Sequence, residues 1–202
     1  MSTQPRRARV PATDARGRIL GAARDLLREG SWSELTIGAV MARAGLARTV
    51  FYRHFDDLAQ LASDLLPDAG DPIIDRVRRV SGGTREIVAE MVGGLVTTFA
   101  DHGPLLQAID DAARSDPAVA ARLEVALVGP RALIAELLAA APAAPPDPAE
   151  SARLLMAAHR AYLLDRFGGG GATPASRAAA VTALEAMWAR LLAERHAPDW
   201  GR

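Results

Sequence analysis

The stretch TIGAVMARAGLARTVFYRHF, residues 36–55, decides how this 202-residue chain is read. Thr36 is a good helix N-cap, and Ile37, Val40 and Met41 recur at helical spacing behind it. Gly45 breaks that helix, and glycine tolerates the backbone of a tight turn. A third helix follows from about Ala47 to His54. Phe51 and Phe55 are four residues apart and share a face with Leu46, so they pack inward. Ala47, Arg48, Thr49, Tyr52 and Arg53 are left pointing outward. Two short helices joined through Gly45-Leu46 fit a helix-turn-helix. Small residues early in the third helix allow close approach to base edges in the major groove, and Tyr52 and Arg53 offer donors to phosphate or base. Thr36, at a helix N-terminus, suits a phosphate. A plain helical hairpin would use the same residues as an amphipathic surface. What argues against it is the combination of a Gly turn, a basic balance, an amphipathic helix in front and an aromatic-basic-His-Phe ending.

The flanking sequence extends the helical reading. A first helix is expected from an N-cap at Thr13, with Ile19, Ala22, Ala23, Leu26 and Leu27 as its apolar stripe and Gly30 as its cap. Residues 1–12 carry Arg6, Arg7 and Arg9 between Pro5 and Pro11 and read as a basic flexible arm. Whether that arm enters a minor groove, tracks phosphates or is a solvated tail is left open. Asp57 starts a fourth helix that Pro67 stops, and Asp71-Pro72 opens another stretch to about Val80. Longer helices are expected at roughly 84–102, 104–115, 117–140, 148–167 and 174–195. No strand alternation is present, so the fold class is all-α. The expected organisation is the arm (1–12), a helix-turn-helix domain (13–56) and a helical-bundle body (57–202), to which the resemblance described below assigns ligand binding and dimerisation.

Charge divides the chain in the same way. Residues 1–55 hold 10 Arg and 4 acids, whereas 56–202 hold 14 Arg and 20 acids. A basic front on an acidic body suggests that the front meets a polyanion. Cysteine is absent, which removes disulfides, thiolate metal sites and cysteine nucleophiles. No apolar run reaches membrane-spanning length and the Arg-rich start lacks a signal-peptide core, so no membrane partner and a cytoplasmic location are expected. His54, His102, His159 and His196 show no metal spacing, and no phosphate loop or nucleophile motif is present. Asp110-Asp111 and Asp56-Asp57 are adjacent, point to different helix faces and read as solvated. An enzyme, a cofactor and a metal are therefore not expected.

The order Thr36-Ile37, Ala44-Gly45-Leu46-Ala47-Arg48-Thr49-Val50-Phe51-Tyr52-Arg53-His54-Phe55, with Gly30-Ser31-Trp32 and Leu35 before it, resembles the TetR family of transcriptional repressors. The resemblance implies that Thr36, Arg48, Thr49, Val50, Tyr52, Arg53 and His54 correspond to operator-contacting positions; His54 is equally a candidate helix-end packing residue. The chain departs from the family in having Ala47 where Ser is common and Thr49 where Gly is common. It also has Leu58, after Asp56-Asp57, where a phosphate-binding Lys is common. In the body, 104–167 resembles the subgroup of the mycobacterial ethionamide-resistance repressor, through Gly103-Pro104, Arg114-Ser115-Asp116-Pro117 and Leu154 to Phe167-Gly168-Gly169. That likeness implies an apolar ligand tunnel and a dimer through the last two helices, and it sets His159 at a polar ligand contact.

Residue spacing agrees with both roles. Met91, Leu95 and Phe99 form one stripe, and Met156, His159 and Tyr162 another. A His and a Tyr among apolar groups suit a ligand with a polar handle, although the same residues also serve as ordinary core. Val181, Leu184, Trp188, Leu191 and Leu192, set among alanines, read as a helix-pairing stripe. The expected function is a ligand-responsive regulator, a repressor released from a palindromic double-stranded operator by a small apolar molecule. The alternative is a helical dimeric interaction protein that has lost specific DNA binding.

Overall fold

The computed structural model describes residues 12–66, 75, 77–142 and 144–193. Arg6, Arg7 and Arg9 of the expected arm, Pro67 and Asp71-Pro72 lie outside the described residues. The described residues form helices and turns without a strand, as the sequence predicts. They divide into two packed units, 1–65 and 66–202, so the helix that begins after Asp57 groups with the first.

In the first unit, α1 spans Ala12–Glu29, so Thr13 lies inside the helix rather than capping it. A 3-10 turn at Trp32–Glu34 leads to α2 (Ile37–Ala44), α3 (Arg48–Phe51) and α4 (Leu58–Leu65). Ile19, Ala22, Ala23 and Leu27 of α1 are buried, and Leu26 is half-buried at the edge of that stripe. They pack with Val40, Met41, Phe51, Phe55 and Leu61, all nearly inaccessible. Burying apolar side chains of this size stabilises by about 1.5–3 kcal/mol each, which allows helices as short as α2 and α3 to persist.

The second unit contains α5 (Thr84–Ser115), α6 (Pro117–Ala126), α7 (Val128–Ala139), α8 (Pro148–Phe167) and α9 (Pro174–Leu192). Asp75 and residues 77–79 are also helical. Two expectations need correction. The helix does not end at His102-Gly103-Pro104, because α5 runs through Pro104. Gly103 is there for close approach instead: a Cβ on it would lie 2.0 Å from the carbonyl oxygen of Phe167. The expected helix 117–140 is two helices that meet at Leu127, and Pro130 stands in the first turn of α7, where a missing N–H costs nothing.

Three helices of this unit start alike. Asp116, Asp147 and Thr173 each accept a hydrogen bond from a backbone N–H of the first turn, at 2.9, 2.9 and 3.1 Å, and each is followed by proline. The core gathers Val92, Val96, Leu163, Phe167 and Trp188. Among the described residues no helix is long and apolar enough to cross a membrane.

Candidate nucleic-acid interface

The candidate interface is built on the α2–α3 turn. Thr36 caps α2 by accepting from the Ala39 N–H at 3.1 Å, so its hydroxyl oxygen is engaged by the chain while the residue stays exposed. Gly45 has φ 65°, the left-handed region, and its N–H returns to Ala42 O. A side chain there would be strained, so glycine is needed for the turn. From α1, Arg18 Nη2 donates to the carbonyl of Ala44, a cation at the negative end of α2. The Leu46 N–H bonds to Met41 O at 3.0 Å and closes the turn.

α3 opens at Ala47, which offers no side-chain cap, and tightens into turns over 52–54 rather than continuing as a helix to His54. Phe51 and Phe55 are buried with ring centroids 5.4 Å apart. Phe51 takes the edge-on ring of Tyr52 at 5.5 Å. Ala47, Arg48, Thr49, Tyr52 and Arg53 are exposed, and Val50 and His54 are half-buried. Seven of the eight expected DNA-contacting residues therefore lie on or beside α3, and the eighth, Thr36, stands at the start of α2.

Several arginines of this unit are spent internally, which the sequence did not reveal. Arg16 pairs with Asp64 at 3.0 Å and lies 5.6 Å from the centre of the Phe55 ring. Arg43 holds Glu29 in a two-pronged pair at 3.0 and 2.7 Å, and that guanidinium keeps the Glu29 carboxyl below its usual range. Arg48 and Arg53 have no hydrogen-bond or ion-pair partner among the described residues, so they are the free cations of the exposed face.

The acidic pair after Phe55 also has a job. Asp57 Oδ1 accepts from the Gln60 N–H at 2.6 Å while Gln60 Oε1 accepts from the Asp56 N–H at 2.7 Å. This reciprocal arrangement satisfies the start of α4, so the expectation of freely solvated carboxylates is corrected for Asp57. It is corrected for Asp110 as well. That carboxylate is buried and paired with Arg114 and with Arg160 of α8, while its neighbour Asp111 is exposed and bonds Gln107 and Arg114.

In the body, Met91 and His159 are buried, and Leu95, Phe99, Met156 and Tyr162 pack half-buried against the same core. His159 Nε2 has no hydrogen-bond partner, and burial pushes the imidazole down to about 4. Its ring lies 6.0 Å from that of Trp188, whose indole N–H is likewise unpartnered. The sequence spacing sets Trp188 in a helix-pairing stripe. It is fully buried in the chain's own core together with Leu184, and this corrects the use of that stripe as a dimer face. No group of His, Cys, Asp and Glu among the described residues is arranged to hold a metal ion.

Residues 19–65 match the model of the family described as bacterial regulatory proteins, tetR family. No curated protein matches the chain. Several solved structures share its fold. One described as a transcriptional regulator from Pseudomonas aeruginosa PAO1 is 18% identical, covers 91% of this chain and 92% of its own, and has a TM-score of 0.73. One described as a TetR-family regulator from Syntrophomonas wolfei is 17% identical over 89% and 95%, with a TM-score of 0.75. The fatty acid degradation regulator FadR from Bacillus halodurans is 15% identical over 94% and 99%, with a TM-score of 0.69. The matched family and these neighbours are regulators, not enzymes. Residues 19–65 are thus similar to the tetR family of bacterial regulatory proteins, and the chain shares its all-helical fold with solved structures described as transcriptional regulators.

Proposed function

We propose that this protein is a ligand-responsive, cytoplasmic DNA-binding regulator, a homodimeric repressor that leaves a palindromic operator when a small apolar molecule enters its body. The observation that carries this reading is the exposed face of residues 47–53, set on two buried phenylalanines, with the side chains of Arg48 and Arg53 free of partners among the described residues. Thr49 and Val50 meet base edges, Arg48, Tyr52 and Arg53 meet base or phosphate, Thr36 faces a phosphate, and His54 supports the end of the element. The alternative, an interaction protein without specific DNA binding, is favoured by Leu58 in place of a Lys and by the Asp56-Asp57 pair before it, and the α4 cap gives that pair another reason to be present.

The dimer uses the outer faces of α8 and α9. Leu154 is 71% exposed among Ala157, Ala158 and Ala161, and α9 presents Ala179, Ala183 and Ala186. Small side chains let helices approach closely, and two such helices with their symmetry mates make a four-helix seam. The apolar ligand occupies the region of Met91, Leu95, Phe99, Met156, His159 and Tyr162. The likeness of 104–167 to the ethionamide-resistance-repressor subgroup supports this placement. The ligand favours a state whose recognition elements are wrongly spaced, and affinity falls by its differential binding to the two states.

The test is selection of bound sequences from random duplex DNA. A palindrome with half-sites about one helical turn apart is expected. Enrichment of no sequence, at a salt concentration where non-specific binding is suppressed, would overturn the reading.

A further inference from the structure

We propose that the indole N–H of Trp188 and the imidazole of His159 form the polar end of the effector site, and that the effector is an uncharged apolar molecule carrying a carbonyl or hydroxyl oxygen. This rests on the preceding reading that the body binds an apolar molecule, and it specifies the chemistry of that molecule. Trp188 on α9 and His159 on α8 are 0% and 4% exposed, and their ring centres are 6.0 Å apart. Trp188 Nε1 and His159 Nε2 are both without a hydrogen-bond partner. Leaving a buried polar group unsatisfied is expensive, and two such groups side by side in an aliphatic core call for a shared partner.

The indole can only donate, so that partner must be an acceptor. The imidazole, held neutral by burial, either donates to the same oxygen or accepts from a hydroxyl. A ketone, ester, amide or alcohol satisfies both groups. A carboxylate does not, because His159 and Asp110 are the only buried polar or charged residues among those described, and Asp110 is already held by Arg114 and Arg160. Half-buried Arg131 of α7 pairs with Glu124 at 2.9 Å through Nη2, while its buried Nε has no hydrogen-bond partner. An acid seated on the Trp188–His159 pair would meet two uncharged groups there. Met91 and Met156, unbranched and adaptable, belong to the core that Trp188 shares and can shift to admit the apolar part.

Three probes of matched carbon count separate the possibilities: butylbenzene, butyrophenone and 4-phenylbutyrate, titrated calorimetrically into the full chain at pH 8. Butyrophenone is expected to bind about tenfold tighter than butylbenzene, with 4-phenylbutyrate the weakest. In Trp188→Phe, and separately in His159→Leu, the advantage of the ketone should shrink severalfold while butylbenzene still binds. In the unaltered chain, butyrophenone should move the Trp188 indole proton, assigned with Trp32→Phe and Trp200→Phe. That readout decides the matter if Trp188→Phe does not fold. Equal binding of ketone and hydrocarbon means that a resident water already serves the pair and overturns the proposal. So does a ketone preference that survives both substitutions, or tightest binding of the carboxylate. If butylbenzene and butyrophenone both fail to bind, the apolar-effector reading falls, and this inference with it.

Discussion

Tyr52 and Arg53 stand together at the end of α3, exposed and with side chains that make no hydrogen bond among the described residues, while Phe51 and Phe55 beside them anchor the element. Removing either exposed side chain should therefore leave the fold intact. Arg53→Ala is expected to weaken operator binding. If the contact is to a phosphate, the slope of log affinity against log salt falls by about one; if it is to a base, about 1–3 kcal/mol of discrimination is lost. Unchanged binding across a salt series would remove Arg53 from the interface. His159 makes a prediction about pH. Its folded value is about 4 against an ordinary 6.5, so the unfolded chain binds the proton more readily. The associated stability is present above pH 6.5 and is lost as pH falls toward 4, by about 3 kcal/mol in full. Chemical denaturation at several pH values should show this loss, and His159→Leu should flatten it over the same range.

Capping residues made the starts of α6, α8 and α9 legible, because Asp116, Asp147 and Thr173 each precede a proline. The interior of α5 was not legible. Gly103-Pro104 looks the same whether it ends a helix or makes room for a neighbour, and only the backbone of Phe167 tells the two apart. Gly103→Ala should therefore destabilise the body by roughly 1–3 kcal/mol, read from the urea midpoint. A neutral result would show that Phe167 yields easily. The split at Leu127 did have a signal, Gly129-Pro130, which suits a first helical turn. In the α2–α3 element the pattern of Leu46, Phe51 and Phe55 shows which residues face outward. The bonds that steady it from α1, Arg16 to Asp64 and Arg18 to Ala44, join residues too far apart in sequence for spacing to expose. Periodicity also could not say which apolar stripe of α9 faces its own body. Leu184, 5% exposed, belongs to the core, so Leu184→Glu should unfold the unit. Leu154→Glu should leave a folded chain that light scattering finds as a monomer. A folded Leu154→Glu dimer would exclude the α8 face.

At the scale of the whole molecule, a basic first unit is joined to an acidic second one, and the proposed repressor divides DNA reading from ligand sensing along that line. Filling the ligand region, for instance with Leu95→Trp, should mimic or block the effector while the exposed residues of α3 stay untouched. Unaltered DNA binding and ligand response in several such variants would move the ligand elsewhere. The most direct measurement of the central claim is hydroxyl-radical footprinting of the full chain on its selected DNA, beside Arg48→Ala/Arg53→Ala. Two protected patches about one helical turn apart, related by the two-fold axis of the site and lost in the double variant, are the predicted result. A single unsymmetrical patch, or protection identical in the variant, would contradict the account.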